Sequence, residues 1–415
     1  MKLLVLSNGH GEDIIAVRIV EQLQKSDRKL EIAALPIVGE GYIYTKNQIP
    51  IIGRVQQMPS GGFIYMESDR LWQDVRGGLI PLTIEQIKLV RHWGQTGGVI
   101  LAVGDIVPLL YAWLSGSNYA FVGTAKSEYY LKDDGNLLPG ISTIERFFGS
   151  AYFPWERWLL SRDRCKAVFP RDDFTAETLQ KWSIPAYNLG NPMMDGIGSN
   201  LEDKTPQTSS IKKLSILLLP GSRMPEALDN WEKIINAVSG VIQAFREYQL
   251  EFIAAIAPAL NSVAFQEYLF SQNWKLIDFL SFMPVNDKRS IGFTKDGVTL
   301  WLSQNAYSEC LQKSQIAIAM AGTATEQFVG LGKPVVTIPG EGPQFTLTFA
   351  QAQTRLLGCS VTLVQNPQQV GRAMVSILNN LEKLSKIKQN GQKRLGDSGA
   401  AKRIALCLQK TLLVD

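Results

Sequence analysis

The chain reads as an α/β protein built from two doubly wound, Rossmann-like domains, and three observations carry that reading. Short apolar runs repeatedly end at glycine-bearing turns and pass into stretches with helical spacing. A length of 415 residues exceeds what a single core usually serves. Near the middle the composition turns polar and breaker-rich, and a buried-strand pattern at residues 215–219 follows at once. We therefore expect an N-terminal domain over residues 1–197, a linker over 198–213 and a C-terminal domain over 214–415, whose last helix can pack back on the first domain.

An apolar fraction of 45%, a charged fraction of 19% and the lack of a low-complexity tract describe a folded chain throughout. The net charge of +4 comes without a Lys/Arg block or a nucleic-acid motif, so nucleic acid is not an expected partner. The basic residues still favour an anionic membrane surface. Cys165, Cys310, Cys359 and Cys407 lie far apart without metal-ligand spacing, and three of them sit in apolar or helix-like settings that suit buried thiols in a reducing compartment. The N-terminal apolar run is too short for a signal peptide, and residues 99–114, which could be mistaken for a membrane span, are interrupted by Gly104, Asp105 and Pro108. A cytoplasmic protein is expected, with peripheral contact to the cytoplasmic membrane face allowed.

In the first domain, residues 3–6 form a strand that ends at Ser7-Asn8-Gly9-His10-Gly11-Glu12-Asp13, and Ile14, Val17, Ile19, Val20 and Leu23 have helical spacing. Residues 30–35 make a second strand. Residues 38–78, rich in Gly, Pro and aromatics, read as long loops with room for short helices that cover a site or bind a partner, or as a floppy insertion. A helix over 83–93 leads to a strand over 99–103, whose carboxyl end presents Gly104-Asp105. In an open parallel sheet that end lines the ligand crevice, so Asp105, His10 and Asp13 can share one cleft if their strands are neighbours. Residues 119–123 are a further strand, followed by a polar loop with Lys126 and Glu128. Residues 144–164 mix Phe147, Phe148, Phe153, Trp155 and Trp158 with four arginines, which suits either a helix packed on the sheet with a charged outer face or a membrane interface. A strand at 167–169, a helix over 172–182 and a strand at 187–189 continue the alternation as far as Gly190-Asn191-Pro192.

In the second domain, the strand at 215–219 runs into Pro220-Gly221-Ser222-Arg223, then a helix over 227–246 and a strand over 252–256. Arg223 in such a turn has the planar fork to clamp a diphosphate; a surface arginine is the plain alternative. The stretch that organises the chain follows at 316–358: an apolar run, the turn Ala321-Gly322-Thr323, a helical segment with Glu326, and a second apolar run at 335–338. Gly322 allows a tight turn and Thr323 can cap the helix, whose first amides then suit an anion. Glu326, one turn in, is placed to accept hydrogen bonds from two sugar hydroxyls, and the combination suggests a nucleotide. The Gly/Pro-rich loop 339–344 would face the same crevice before a helix over 345–357 closed by Gly358. A strand at 361–364, helical stretches over 368–394 and a final amphipathic helix complete the chain.

Several turns resemble a known family. Leu219-Pro220-Gly221-Ser222-Arg223 with Glu226, Ala321-Gly322-Thr323-Ala324-Thr325-Glu326, Leu189-Gly190-Asn191-Pro192 and, more loosely, Gly11-Glu12-Asp13 look like lipid-A-disaccharide synthase. Nearly end to end the chain resembles the lipid-A-disaccharide synthase-related proteins of photosynthetic bacteria. Gln344 and Ala350 are similar to the donor site of the peptidoglycan glycosyltransferase that uses UDP-N-acetylglucosamine. Where the synthase has Gly-His-Pro, this chain has Gly190-Asn191-Pro192, and its first loop carries His10-Gly11-Glu12-Asp13 in place of Ser-Gly-Asp.

The resemblance implies a GT-B fold with an interdomain crevice and a metal-independent hexosyltransferase, without a cofactor beyond its nucleotide-sugar co-substrate. It implies a UDP-linked donor whose diphosphate lies at Gly322-Thr323 with Gly221, Ser222 and Arg223 nearby, its ribose on Glu326 and its sugar toward Gln344. The acceptor, a lipid or envelope precursor, would lie by Gly9, Gly11 and Asn191, with Asp13, Asp105 and His10 as candidate bases. A homodimer is compatible with this. Two other classes fit the same features: a UDP-sugar epimerase or hydrolase, and a non-catalytic nucleotide-binding protein of envelope assembly.

Overall fold

The computed structural model describes residues 1–26, 29–55, 79–133, 135–198, 212–277 and 284–414. The chain divides into two compact units, Met1–Asp195 together with Gly399–Asp415, and Gly196–Ser398. Of the stretch expected as linker, residues 199–211 lie outside the described residues, and Lys212 and Lys213 already belong to a strand.

The first unit is built on a parallel sheet of β1 (Lys2–Ser7), β2 (Glu31–Pro36), β3 (Val99–Gly104), β4 (Tyr119–Gly123) and β7 (Cys165–Phe169), in the order β2-β1-β3-β4-β7. A short antiparallel ribbon, β5 (Lys132–Asp133) with β6 (Asn136–Leu137), stands apart. β3 and β4 are buried along their whole length, which is why they read as continuous apolar runs rather than alternating ones. The helices His10–Ser26, Leu79–Gln95, Ile106–Leu114 and Asp173–Gln180 supply the flanking layers. Residues 38–55 contain one short helix, Tyr42–Lys46, and residues 56–78 lie outside the described residues.

Two local expectations are corrected in this unit. No strand forms at residues 187–189. Val168 N–H donates to Pro185 O at 2.9 Å and Tyr187 N–H to Val168 O at 2.8 Å, a single bridge at the sheet edge that the turn at Gly190, φ 83°, then leads away. The aromatic stretch forms two helices, Thr143–Phe148 and Pro154–Leu160, because Gly149 at φ 65° ends the first and Pro154 opens the second.

The second unit carries β8 (Lys212–Leu219), β9 (Tyr248–Ala255), β10 (Lys275–Leu276), β11 (Ile291–Lys295), β12 (Val298–Ser303), β13 (Ile316–Ala319), β14 (Val335–Thr337) and β15 (Val361–Leu363). Their order is β10-β11-β12-β9-β8-β13-β14-β15, and β11 alone among them runs against the others. The β11–β12 hairpin turns on Asp296-Gly297, both at positive φ, the pair that a two-residue hairpin favours. Its core is anchored by Trp231, fully buried on the helix Glu226–Ala244, whose indole N–H donates to Phe265 O at 3.2 Å. Lys333 donates to Leu311 O at 2.7 Å, closing the end of the helix Tyr307–Lys313; burial brings its amine down to about 8.

The last helix, Ala400–Thr411, belongs to the first unit. Asp195 accepts hydrogen bonds from the amides of Gly399, Ala400 and Ala401 at 2.5, 3.0 and 2.8 Å, so a side chain distant in sequence does the work of a cap. Arg403 Nε donates to Leu189 O at 2.9 Å and fixes the other side of that turn. Replacing Asp195 with Ala should cost about 1–2 kcal/mol. By calorimetry the melting temperature should then fall by roughly 2–8 °C. Asp195→Asn, which keeps one acceptor oxygen, should fall less.

Candidate functional site

Each sheet has a place where neighbouring parallel strands lead into crossovers in opposite directions, and open α/β sheets bind ligands beyond the carboxyl ends of strands at such a switch point. In the first unit that place is between β1 and β3, and in the second between β8 and β13.

At the second unit's switch point three loops are stitched together from behind by buried side chains. Gly221 follows β8 at φ 106°, and a Cβ there would lie 3.4 Å from Met320 O, so a larger residue would strain the turn. Asn230, 2% exposed, donates through Nδ2 to Pro220 O at 3.0 Å and Met320 O at 3.3 Å, joining the loop after β8 to the loop after β13. Gln353 Nε2 donates to Ala321 O at 3.1 Å and Gly322 O at 3.2 Å, and Thr325 Oγ1 donates to Ala321 O at 2.6 Å. Glu226 binds the third loop: its Oε1 accepts from Gln344 N–H at 3.2 Å and Phe345 N–H at 2.5 Å. A side chain at Gly342 would collide with that carboxyl.

These supports leave the predicted ligand residues on the outer side of the loops. Ser222 and Arg223 are exposed in the turn after β8, and Thr323 is exposed at the start of the helix Thr323–Gly330. Glu326 and Gln344 are half-buried. The expectation that Thr323 caps this helix is corrected: Gly322 is the cap residue, and no side chain caps the helix. Thr323 is already its first residue, while Gly322 O accepts from Thr325 N–H at 3.1 Å and Glu326 N–H at 3.3 Å. Glu226, Asn230 and Gln353 were not among the predicted site residues. Glu226 stands three residues after Arg223, yet nothing in the sequence tells that its partners lie 118 and 119 residues away.

At the first unit's switch point Gly9 has φ 138° and Gly104 φ 136°, conformations that glycine alone adopts easily. Gly11 has no such need, since a Cβ there would meet nothing within 4 Å. His10 opens the helix His10–Ser26, with Asp13 in its first turn. Asp13, 4% exposed, accepts from Ser7 Oγ at 2.5 Å, and Ser7 Oγ is 2.7 Å from the fully buried Tyr44 hydroxyl. Burial raises the Asp13 carboxyl to about 7, the Ser7 bond opposing and the neighbouring Glu12 adding to the rise; burial likewise pushes the Tyr44 phenol up. Asp105 caps the helix Ile106–Leu114 by accepting from Val107 N–H at 2.9 Å, and Asn8 Nδ2 donates to it at 3.3 Å. Burial raises its pKa too, against those bonds. Glu12 lies beside the Gly104 backbone and accepts from Thr124 Oγ1 at 3.3 Å. Asn191 holds a turn of its own, its side chain accepting from Met193 N–H at 3.0 Å.

The two predicted aspartates thus sit at the ends of adjacent strands. Ser7 and Tyr44 were missed. A serine closing an apolar run six residues before an aspartate is a faint signal for the first, and Tyr44 lies in a stretch without periodicity. Among the described residues no three His, Cys, Asp or Glu side chains come together as metal ligands would.

A carboxyl that holds its proton near neutral pH can take or give one there. The same shift fixes a stability dependence. Because the folded-state value lies above the unfolded one, Asp13's contribution is fully present below about pH 4 and is lost as pH rises through about 7. Asp13→Asn removes that loss, so its stability advantage over the parent should grow from near zero at about pH 4 to an upper bound on the order of 4 kcal/mol above about pH 8. Urea titrations across that range check it; a pH-independent difference would contradict the assignment.

No protein-family model matches the chain, and no curated protein matches it in sequence. Solved structures do match over nearly all of it. The structure of Acinetobacter baumannii MurG covers 99% of this chain and 99% of its own at 14% identity and a TM-score of 0.58. A putative UDP-N-acetylglucosamine 2-epimerase from Listeria monocytogenes covers 99% and 96% at 14% identity with a TM-score of 0.55. The Streptomyces sp. SF2575 glycosyltransferase SsfS6, complexed with thymidine diphosphate, covers 99% and 99% at 12% identity with a TM-score of 0.52. At such identities the likeness is one of fold, and the fold is the two-domain, Rossmann-like GT-B fold.

Proposed function

We propose that this chain is a glycosyltransferase that moves a sugar from a UDP-linked donor to a lipid or envelope-precursor acceptor, in the manner of the lipid-A-disaccharide synthase-related proteins. The observation that carries the reading is the stitched set of loops at the β8/β13 switch point, with Ser222, Arg223 and an uncapped helix start on its outer side. The amides of that helix start and the Arg223 guanidinium would take the diphosphate. Glu326 would accept from the ribose hydroxyls and Gln344 would meet the sugar. As the acceptor hydroxyl attacks the anomeric carbon, the bond to the diphosphate breaks and the hydroxyl proton passes to a base, for which Asp13 and Asp105, and after them His10, are the candidates. The departing charge would be taken by the helix start and Arg223, so this reading calls for neither a metal nor a further cofactor.

The neighbours support a nucleotide-sugar ligand, since one is an S. aureus MnaA structure with UDP and another a Neisseria meningitidis UDP-GlcNAc 2-epimerase bound to UDP-GlcNAc. They also keep a second reading in play, an epimerase acting on a UDP-sugar without an acceptor. Its product would be an isomerised donor, which product analysis separates from transfer.

Thermal shifts with UDP, GDP, ADP and their sugar conjugates test the site first. Ligand at ~100 times its dissociation constant should stabilise the protein by roughly 2.7 kcal/mol. UDP should act selectively and Glu326→Ala should weaken it; no shift with any nucleotide would sink the reading. Glu226→Ala frees the loop that carries Gln344 and should raise KM for the donor about tenfold, with a smaller change in kcat. Glu226→Gln keeps an acceptor oxygen and should recover most of that loss.

A further inference from the structure

The first unit carries a ridge of aromatic rings that are largely left exposed. Phe147 is 81% exposed at the end of the helix Thr143–Phe148 and packs edge-on against Phe148 at 5.3 Å between ring centroids. Phe148 meets Trp155 at 5.9 Å and Phe153 at 5.5 Å. Trp155 and Trp158 are three residues apart on the helix Pro154–Leu160, hence on one face, and are 49% and 45% exposed. Trp158 then packs edge-on against Trp113 at 5.3 Å, beside Leu110, which is 40% exposed one helical turn away. The inner sides of the same segments are ordinary core: Tyr152, Leu159 and Leu160 are buried. Folding therefore accounts for the inner face of the helix Pro154–Leu160, while the helix Thr143–Phe148 has no buried residue, and large rings of both are left in water.

Basic side chains outnumber exposed acidic ones along the ridge. Arg146 precedes Phe147 and is exposed; the Arg162 guanidinium lies 4.5 Å over the Trp158 ring and that of Arg157 4.0 Å over Trp182, itself 39% exposed. Arg164 and Lys166 follow. Opposing them in the same stretch, Glu156 is buried and paired with Lys126, Glu145 is turned back on its own helix cap at Ser142, and Asp163 is the exposed acid. Rings that end in an apolar body, framed by arginines that stack on them, match the boundary of an anionic bilayer, where aromatic side chains sit at headgroup depth and cations meet lipid phosphates. Among the described residues no helix is long and apolar enough to cross a membrane, so the contact would be with its surface.

We propose that the ridge from Phe147 to Trp158 is a docking surface for an anionic lipid bilayer. It stands on exposure and charge alone and does not depend on the sugar chemistry. The test is co-sedimentation of the full chain with vesicles of equal parts phosphatidylglycerol and phosphatidylcholine, against vesicles of phosphatidylcholine alone. The expected result is binding to the anionic vesicles that weakens with added salt, is slight on the neutral ones, and drops at least about tenfold in the double variant Phe147→Ser, Trp155→Ser. Both positions are exposed, so the variant should keep the parent's melting temperature and its UDP shift. A variant that binds as the parent does, or a parent that binds neither vesicle, would overturn the proposal. A parent that forms a concentration-dependent dimer lost in the variant, with no vesicle binding, would overturn it in favour of a second copy of the chain.

Discussion

The side-chain amide of Asn230 holds together the two strand ends at the second unit's switch point. Parallel strands leave carbonyls at their carboxyl ends without a ladder partner, and a buried carbonyl left so costs as much as a lost hydrogen bond. Asn230 satisfies two of them at once, Pro220 O and Met320 O. Gln353 and Thr325 satisfy the next, at Ala321 and Gly322. Because these acceptors are consumed from inside, the backbone of both turns is set before any ligand arrives, and such preorganisation is what a site for a charged group requires.

The first unit solves a different problem. Its switch point holds carboxyls rather than amides, and carboxyls are costly to bury when charged. Asp13 keeps one strong donor, Ser7, and Asp105 has Val107 N–H and Asn8, too few bonds to cancel burial in either case. Asp287 in the second unit shows the opposite balance. Buried to 3% exposure, which alone would raise it, it accepts from Ser303, Asn305 and the amides of Arg289, Gln304 and Asn305, and these bonds hold it at about 2. A fully bonded buried aspartate is structural and stays ionised. One left with few bonds at a strand end keeps a raised pKa and costs stability when it ionises.

Most of the fold was legible because buried parallel strands and glycine turns are local signals: residues 119–123 and 335–338 were readable from apolar runs alone, and the structure has Tyr119–Gly123 and Val335–Thr337 there. The β11–β12 hairpin was overlooked although Asp296-Gly297 between apolar residues announces it. What could not be read were pairings over long separations, such as Ser7 with Tyr44 or Glu226 with Gln344. A single sequence records what each residue is, and a hydrogen bond between residues 37 or 118 positions apart leaves no mark in either neighbourhood.

The misplaced cap is the most instructive of these differences. Had Thr323 capped the helix, its hydroxyl would have satisfied one of the first amides and competed with any anion for them. With Gly322 as the cap residue, no side chain is offered there, and the residue that could have served is displaced by one position onto the helix itself. Other helices of the unit differ in this respect: Asn261, Thr346 and Asn380 cap theirs with a side chain, whereas Glu226–Ala244, Tyr307–Lys313 and Val370–Leu378 start without one. An uncapped start at the β8/β13 switch point, in a unit where Ser222 and Arg223 are exposed on the neighbouring turn, leaves the positive end of the helix without a side-chain partner of its own.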